Sequence, residues 1–260
     1  MSKLEKYENR FGKSLGFVNE GKFGTIIDKD VASEIGDANI SLLDYIFYLS
    51  TKTKLSEDKR KLLEYFIKTA GYADPRIWPN RVIGYAANLK NSKYASFSAG
   101  FSSLESQIFG HVATRKSYSM ILKLLKNEQS IEEIINNKGI FYGFGRPNNP
   151  IDERVEYYRK NKNKDLYHIN FIFSVEEEIQ NTYKKNIYLN YSGIGAALAL
   201  DLNIDIEEFI LVNTMTLAYN LIPAYSHMKS RMETGCFLPV RSSDVVYEGD
   251  YKIGRKWEDD

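Results

Sequence analysis

The chain has 260 residues, which is enough for one large domain or two modest ones. Lys and Arg number 35 against 34 Asp and Glu, so the net charge gives no electrostatic case for nucleic acid or an anionic membrane as the main partner. A single cysteine excludes an internal disulfide framework and indicates a reducing compartment. The charged start lacks the apolar core of a signal peptide, and no segment is long and apolar enough to span a membrane, so we expect a cytoplasmic protein.

The chain begins with a polar, glycine-punctuated segment and then becomes helical. Residues 1–30 predict an extended arm or a small hairpin. Two helices with apolar faces follow, and Pro75 and Pro79 end the second of them. The two prolines form a rigid elbow, which leads to a helix predicted at 80–91.

The stretch Ser92–Lys116 is the one around which we expect the chain to be organised. Its small residues recur three to four apart, so one side of a helix is nearly flat and other helices can approach closely. These small residues are Ser92, Ser96, Ala99, Ser103, Ser106 and Gly110. We predict that this helix packs against its own copy in a two-fold homodimer, although an internal crossing would use the same residues. Its far end places His111 at the tip of the element.

Helical patterns continue through the second half, interrupted by one irregular loop. The glycine- and proline-rich run 139–150 must be a loop, and 186–193 has the propensity of a strand. Apolar residues at helical spacing, with capping residues, predict helices at 118–125, 130–135, 152–161, 169–183, 194–202 and 206–228. About ten helices and hardly a strand indicate an all-α fold.

Two segments of the second half match motifs of a known superfamily. Gly143-Phe144-Gly145-Arg146, followed by Asn149-Pro150 and Arg154, is similar to a G-x-G-H-R…(N/D)-P-x-x-R loop. Asn190-Tyr191-Ser192-Gly193, ahead of a buried small-residue helix, is similar to an N-V-D-G segment. Both motifs belong to the citrate synthase superfamily, which includes the citryl-CoA lyase module of ATP-citrate lyase.

The ends of the predicted large domain extend the resemblance. Ala224-Tyr225-Ser226-His227 and the later Arg241…Gly249 resemble the family's A-H-W and R-P-x-x-Y-x-G ending. Ser92–Lys116 resembles its long interface helix, which ends in an H-G-G-A or F-G-G-A turn. The spacing agrees from about Gly24 to Gly249, so the resemblance covers most of the chain.

The resemblance implies a citrate-synthase-like, all-α architecture with a large and a smaller helical domain. Residues 1–110 and 221–260 would form the large domain with the dimer-interface helix, and 111–220 a small domain that resembles the family's CoA-binding part. The implied partners are a CoA thioester and a small carboxylate, with coenzyme A or acyl-CoA as substrate. The sequence has no metal-ligand spacing, so we expect no metal.

The family's acid–base residues are replaced in this sequence. The aspartate of N-V-D falls on Ser192, the histidine of G-x-G-H on Arg146, the H-G-G-A histidine on Phe109 or Gly110, and an upstream histidine on Pro75. We therefore expect no appreciable citrate synthase activity. The candidate catalytic residues are His111, Arg146 and Ser192. The candidate substrate-binding residues are Arg154, Asn190, Tyr191, Gly193, His227 and Arg241, and the candidates for binding coenzyme A are Gly143, Phe144 and Gly145.

Two functions of different classes remain open. The first is a divergent enzyme that makes or breaks a carbon–carbon bond between a CoA thioester and a carboxylate. The second is a catalytically silent homologue that binds acyl-CoA or a partner protein, and an unrelated all-α protein is a third possibility. In either of the first two we expect His111, Arg146, Arg154 and Asn190–Ser192 to converge, with exposed backbone amides. We also expect an anionic ligand between the two arginines.

Overall fold

The all-α prediction is confirmed by the structure, a computed structural model. The model describes residues 16–18, 25–27, 30–31, 41–51, 53–70, 77–106, 109–136, 140–146, 151–160 and 165–231. Within these ranges the helices are α1 Leu42–Thr51, α2 Glu57–Ala70, α3 Trp78–Asn88, α4 Lys93–Ser102, α5 His111–Leu125, α6 Ile131–Asn136, α7 Glu153–Lys160, α8 Tyr167–Asn181, α9 Tyr191–Leu202 and α10 Ile206–Ser230.

Five short strands accompany the helices in the described part of the chain. Strands β1 Gly16–Val18, β2 Thr25–Ile27 and β3 Asp30–Val31 form an antiparallel sheet in the order β1-β2-β3, which apart from Val31 lies in the arm predicted at 1–30. Strands β4 Glu105–Ser106 and β5 Phe109–Gly110 form a second antiparallel pair between α4 and α5.

The prediction of one continuous helix over Ser92–Lys116 is wrong. The chain leaves the helix at Ser102, passes through β4 and β5 and starts a new helix at His111. Gly110 has a φ of 79°, which an L side chain rarely adopts, and a Cβ there would lie 1.9 Å from the carbonyl oxygen of Leu104. A backbone of this shape cannot continue an α-helix, so His111 lies at the start of a helix and not at the end of one.

The small residues of α4 serve a crossing within the chain. Ser96 and Gly100 are buried, and a Cβ on Gly100 would lie 3.1 Å from side-chain atoms of both Ile83 and Leu221. Helices α3 and α10 therefore approach α4 closely at this point. Another row of small residues on α4, Ala95, Ser98 and Ser102, is exposed.

Among the described residues, two apolar cores hold the helices together. The larger one joins α1 and α2 to α5–α9 and the start of α10, and α9 is buried nearly throughout, as its alanine-rich sequence predicts. The smaller one lies between α3, α4 and the second half of α10 and contains Ile83, Ala87, Leu221, Ala224 and Tyr225. The division into domains at 1–110, 111–220 and 221–260 stays a prediction.

Neither a membrane span nor a metal cluster is found in the part of the chain that the structure describes. No helix there combines the length and the apolar character that crossing a bilayer requires. No three His, Cys, Asp or Glu side chains in those ranges are grouped as metal ligands.

Candidate functional site

The glycine loop at 143–145 is tied to the segment that leads into α9. The backbone N–H of Gly145 donates to the carbonyl of Tyr188 at 2.6 Å, and that of Asn190 donates to the carbonyl of Gly143 at 2.8 Å. Phe144 and Leu189 form an isolated antiparallel bridge between these bonds. The strand propensity of 186–193 is expressed as this single bridge, because the partner is a short loop and not a strand.

Glycine is required on both sides of this contact. Gly143 has a φ of 87°, and a Cβ there would lie 2.3 Å from Oγ of Ser117 and 2.8 Å from Cα of Gly193. A Cβ on Gly193 would lie 2.5 Å from the carbonyl oxygen of Gly143. The loop therefore lies directly against the first turn of α9, and α5 supports it through Ser117.

The first backbone amides of α9 are already hydrogen-bonded. Asn190 caps the helix, and its Oδ1 accepts from the N–H groups of Ser192 and Gly193 at 3.0 and 3.3 Å. The N–H of Tyr191 donates to Oδ2 of Asp152 at 3.0 Å. The expectation of exposed amides at this helix start is wrong, because side chains of the same molecule satisfy all three.

A buried carboxylate, Asp152, lies between the two arginines. Arg154 donates to it from Nε at 2.9 Å and from Nη2 at 2.8 Å, and Nη1 of Arg146 is 3.6 Å from its Oδ1. Nη1 of Arg146 also donates to Oε2 of Glu153 at 2.7 Å. The anion that two neighbouring arginines require is thus supplied by the chain itself, and the arginine pair does not by itself imply a ligand.

The charge state of Asp152 follows from these contacts. Burial alone would raise the pKa of its carboxyl group, but the hydrogen bonds and charge of Arg154, the charge of Arg146 and the Tyr191 amide together lower the pKa below its ordinary value. Asp152 is therefore a carboxylate at neutral pH.

Tyr191 packs between α2 and Arg154. Its ring stacks on that of Phe66, with centroids 4.3 Å apart, and the guanidinium carbon of Arg154 lies 4.4 Å from its centroid. Its hydroxyl donates to the carbonyl of Phe66 and accepts from Thr69. Burial raises the pKa of Tyr191, so the hydroxyl stays protonated. These contacts fix the start of α9 against α2 and orient Arg154.

His111 lies in a different set of contacts. Its side chain is buried at the start of α5, and Nε2 is 3.0 Å from Oγ1 of Thr214 on α10. Arg115, one turn later, bridges Glu105 and Glu207. Burial lowers the pKa of His111, so the imidazole is neutral at pH 7. These interactions tie His111 to α10, whereas Arg146, Arg154 and the start of α9 are joined to one another.

The remaining candidates are spread over the chain. Ser192 is partly exposed on the first turn of α9, next to its Asn190 cap. His227 is exposed near the end of α10. Arg241 lies outside the described residues, so it stays a prediction, as do the roles of the other candidate site residues. His168 lies 2.8 Å from Asp201 through Nδ1 in a contact that also caps α8.

Sequence reasoning missed Asp152, Glu153 and Thr214. Asp152 stands between Arg146 and Arg154 in the sequence, and an acidic residue flanked by two arginines in a short loop is a signal for an internal ion pair. No pattern in the sequence indicates the contact between His111 and Thr214, which are 103 residues apart.

Comparison with solved structures shows which fold this is. The citryl-CoA lyase from Hydrogenobacter thermophilus superposes with a TM-score of 0.73 at 17% identity, over 92% of this chain and 95% of that chain. An ATP citrate lyase from Methanothrix soehngenii, solved with citrate and coenzyme A, superposes with a TM-score of 0.67 at 16% identity, over 95% of this chain but 46% of its own. The sequence matches no family model and no curated protein.

Citrate synthase itself has the same architecture. The Thermoplasma acidophilum enzyme, solved with carboxymethyl coenzyme A and oxaloacetate, superposes with a TM-score of 0.61 at 14% identity, over 85% of this chain and 60% of that chain. The chain therefore has the citrate synthase-like fold. Identities this low establish the fold alone, and the chain spans less than two thirds of two of these three relatives.

Proposed function

We propose that the chain binds a CoA thioester together with a small carboxylate and makes or breaks a carbon–carbon bond between them. The observation that carries this proposal is the likeness to a citryl-CoA lyase over nearly the whole of both chains. The glycine loop at 143–145, fastened to the start of α9, supports it, because such a backbone can approach a ligand closely.

In this proposal the candidate residues have separate roles. Gly143, Phe144 and Gly145 contact the CoA thioester, and the hydroxyl of Ser192 donates to the thioester oxygen as the enolate forms. Arg146 holds the carboxylate, and His111, which burial keeps neutral, accepts the α-proton. His111 is hydrogen-bonded to α10, whereas Arg146 and Ser192 lie with α7 and α9. The reaction therefore requires His111 and the region of Arg146 and Ser192 to contact the same substrate.

Exchange of the α-protons of acetyl-CoA with D₂O tests this function without knowledge of the second substrate. An enzyme of this class removes an α-proton and returns a deuteron from solvent, so mass spectrometry detects an increase of about one mass unit per exchange. We expect catalysed exchange by the wild type, and a rate lower by about 10²-fold or more in His111→Gln. Lys126→Met, an exposed change at the end of α5, is the control and should match the wild type.

A second function, silent binding of acyl-CoA or a partner protein, is favoured by the internal pairing of the site. Nε and Nη2 of Arg154 are hydrogen-bonded to Asp152, and the first backbone amides of α9 are hydrogen-bonded to Asn190 and Asp152. A serine also stands where the family has its base. A protein that retains acetyl-CoA on equilibrium dialysis but does not exchange its α-protons would be this silent homologue.

The assembly and compartment belong to the same proposal. We propose that two copies pair through the exposed small residues of α4, Ala95, Ser98 and Ser102, because a flat helix face permits close approach to its own copy. The single cysteine supports a cytoplasmic location.

A further inference from the structure

Arg154 has little capacity left for a ligand. Its Nε and Nη2 form a bidentate pair with Asp152, whose side chain is fully buried, and its guanidinium covers the ring of Tyr191. A ligand carboxylate would have to displace Asp152, whose carboxylate is buried away from solvent. Removing one partner from a buried ion pair is strongly unfavourable. Arg154 therefore acts as a positioning residue that holds Asp152 and Tyr191.

Arg146 differs from Arg154, because part of its guanidinium has no partner among the described residues and its carboxylate partner Glu153 is exposed. Its contacts within the described residues all use Nη1, which reaches Glu153, the carbonyl of Ile151 and, at 3.6 Å, Asp152. Nε and Nη2 have no partner in that part of the chain. The Glu153 side chain is 53% exposed, so a ligand carboxylate can replace it at Nη1 of Arg146.

Among the described residues, the charges of this cluster are balanced before any ligand binds. Arg146 and Arg154 contribute two positive charges, and Asp152 and Glu153 contribute two negative charges. Once Glu153 has been displaced, one ligand carboxylate restores the balance. A second ligand carboxylate would find Asp152 nearby and no unpaired arginine among the described residues of the cluster, so it would be repelled.

Among the described residues, we infer that the carboxylate substrate binds through Arg146 and not through Arg154, and that it is a monocarboxylate, with dicarboxylates and tricarboxylates disfavoured by Asp152. This inference rests on the proposed function, because it names the class of the carboxylate that would react with the CoA thioester. The internal carboxylate of Asp152 takes the place that a second carboxylate of the substrate would otherwise fill.

Lactate and malate are matched probes, since malate is lactate with an added carboxylate on its methyl group. Isothermal titration at pH 7.5, with and without CoA, should show that the wild type binds lactate at least as tightly as malate. Arg146→Met should weaken lactate binding by about tenfold or more. The control Lys160→Met, at the exposed end of α7, should bind as the wild type does. Glu153→Gln should bind lactate several-fold more tightly, because the competing carboxylate is gone.

Asp152→Asn frees Arg154 and should increase malate affinity relative to lactate by about tenfold. If this variant does not fold, Arg146→Met and Glu153→Gln still decide the question. Wild-type protein that binds malate about tenfold more tightly than lactate, or that binds neither, overturns the inference, as does unchanged lactate affinity in Arg146→Met. Lactate binding that follows the expected pattern without any CoA binding would support the inference and contradict the proposed function.

Discussion

Asp152 accepts two hydrogen bonds from the guanidinium of Arg154, at 2.9 and 2.8 Å, and carries a third from the N–H of Tyr191. This contact joins the start of α7 to the start of α9, which are separated by the whole of α8. The candidate site is therefore held by an internal ion pair whose charge also restricts what the site can bind.

Replacing Asp152 should destabilise the fold. Asp152→Asn removes the negative charge from a buried pair and leaves the Arg154 charge without its partner, so we expect a loss of about 3 kcal/mol in the free energy of unfolding. Glu153→Gln, one residue along but exposed, is the control and should change that free energy by less than about 0.5 kcal/mol. Urea denaturation measures both, and a loss in Asp152→Asn as small as that expected for the control would show that the Asp152 contacts do not stabilise the protein.

The same carboxylate should make stability depend on acidic pH. Its pKa is lowered in the folded state, so below the ordinary value of 3.8 the unfolded chain takes up a proton that the folded chain does not. Stability is therefore present above pH 4 and falls as the pH is lowered further. In urea titrations from pH 5 to pH 2.5 the wild type should lose more stability than Asp152→Asn. Parallel curves for the two proteins would contradict the assignment.

His111 should add a pH dependence nearer neutrality. Burial lowers its folded-state pKa below 6.5, so below that pH the unfolded chain binds a proton first and stability falls, by at most about 1.4 kcal/mol per pH unit. The facing groups Glu105, Arg115, Glu207 and Thr214 set how far the pKa falls. His111→Gln should flatten the change between pH 7 and pH 5.5.

The control for this experiment is an exposed residue at the end of the same helix. Lys126→Met removes no histidine and should leave the slope between pH 7 and pH 5.5 unchanged. A slope that persists in His111→Gln would mean that another group titrates in this range.

The contact between the glycine loop and α9 can be tested with two alanine substitutions. In Gly193→Ala the new Cβ would lie 2.5 Å from a backbone oxygen, so the loop must move, and we expect a loss of about 3 kcal/mol. Gly145 has a φ of 77°, but no atom lies within 4 Å of the Cβ that Gly145→Ala would add. We therefore expect only backbone strain of about 1 kcal/mol in this variant. Urea midpoints should rank the variants in this order, and the reverse order would refute the contact.

The proposed homodimer predicts the effect of a charge on α4. Ser98→Arg brings two like charges together near the two-fold axis and should raise the dimer dissociation constant by at least about tenfold. Ser174→Arg, on an exposed site of α8, is the matched control and should leave the dimer intact. Sedimentation at micromolar concentration decides this. A monomeric wild type would contradict the proposed dimer. A Ser98→Arg variant that remains dimeric would show that the interface does not lie on α4.

Most of the fold could be predicted from the sequence because apolar periodicity, caps and prolines are local signals. The buried α9 and the ends of α7, α8 and α10 follow from such signals to within a few residues. The break before His111 could not be predicted in this way. The small-residue period runs through Gly110, whereas α4 ends at Ser102 and the chain passes through β4 and β5 before α5 begins.

The site was predicted less completely, because its decisive contacts join distant residues. The sequence indicated His111, Arg146, Arg154 and Asn190–Ser192 as neighbours. Ion pairs, the helix cap and the glycine contact connect the last three pieces, whereas His111 contacts Thr214. It did not indicate that Asp152 and Asn190 would satisfy the arginine and the amides, since their geometry depends on how α7 and the loop meet α9.

A crystal structure of the protein with acetyl-CoA is the most direct test of the proposed function. We expect the thioester to lie between the Gly143–Gly145 loop and Ser192, within reach of the serine hydroxyl. Acetyl-CoA bound elsewhere on the molecule, or no binding at millimolar acetyl-CoA, would contradict the proposed function and leave only the citrate synthase-like fold.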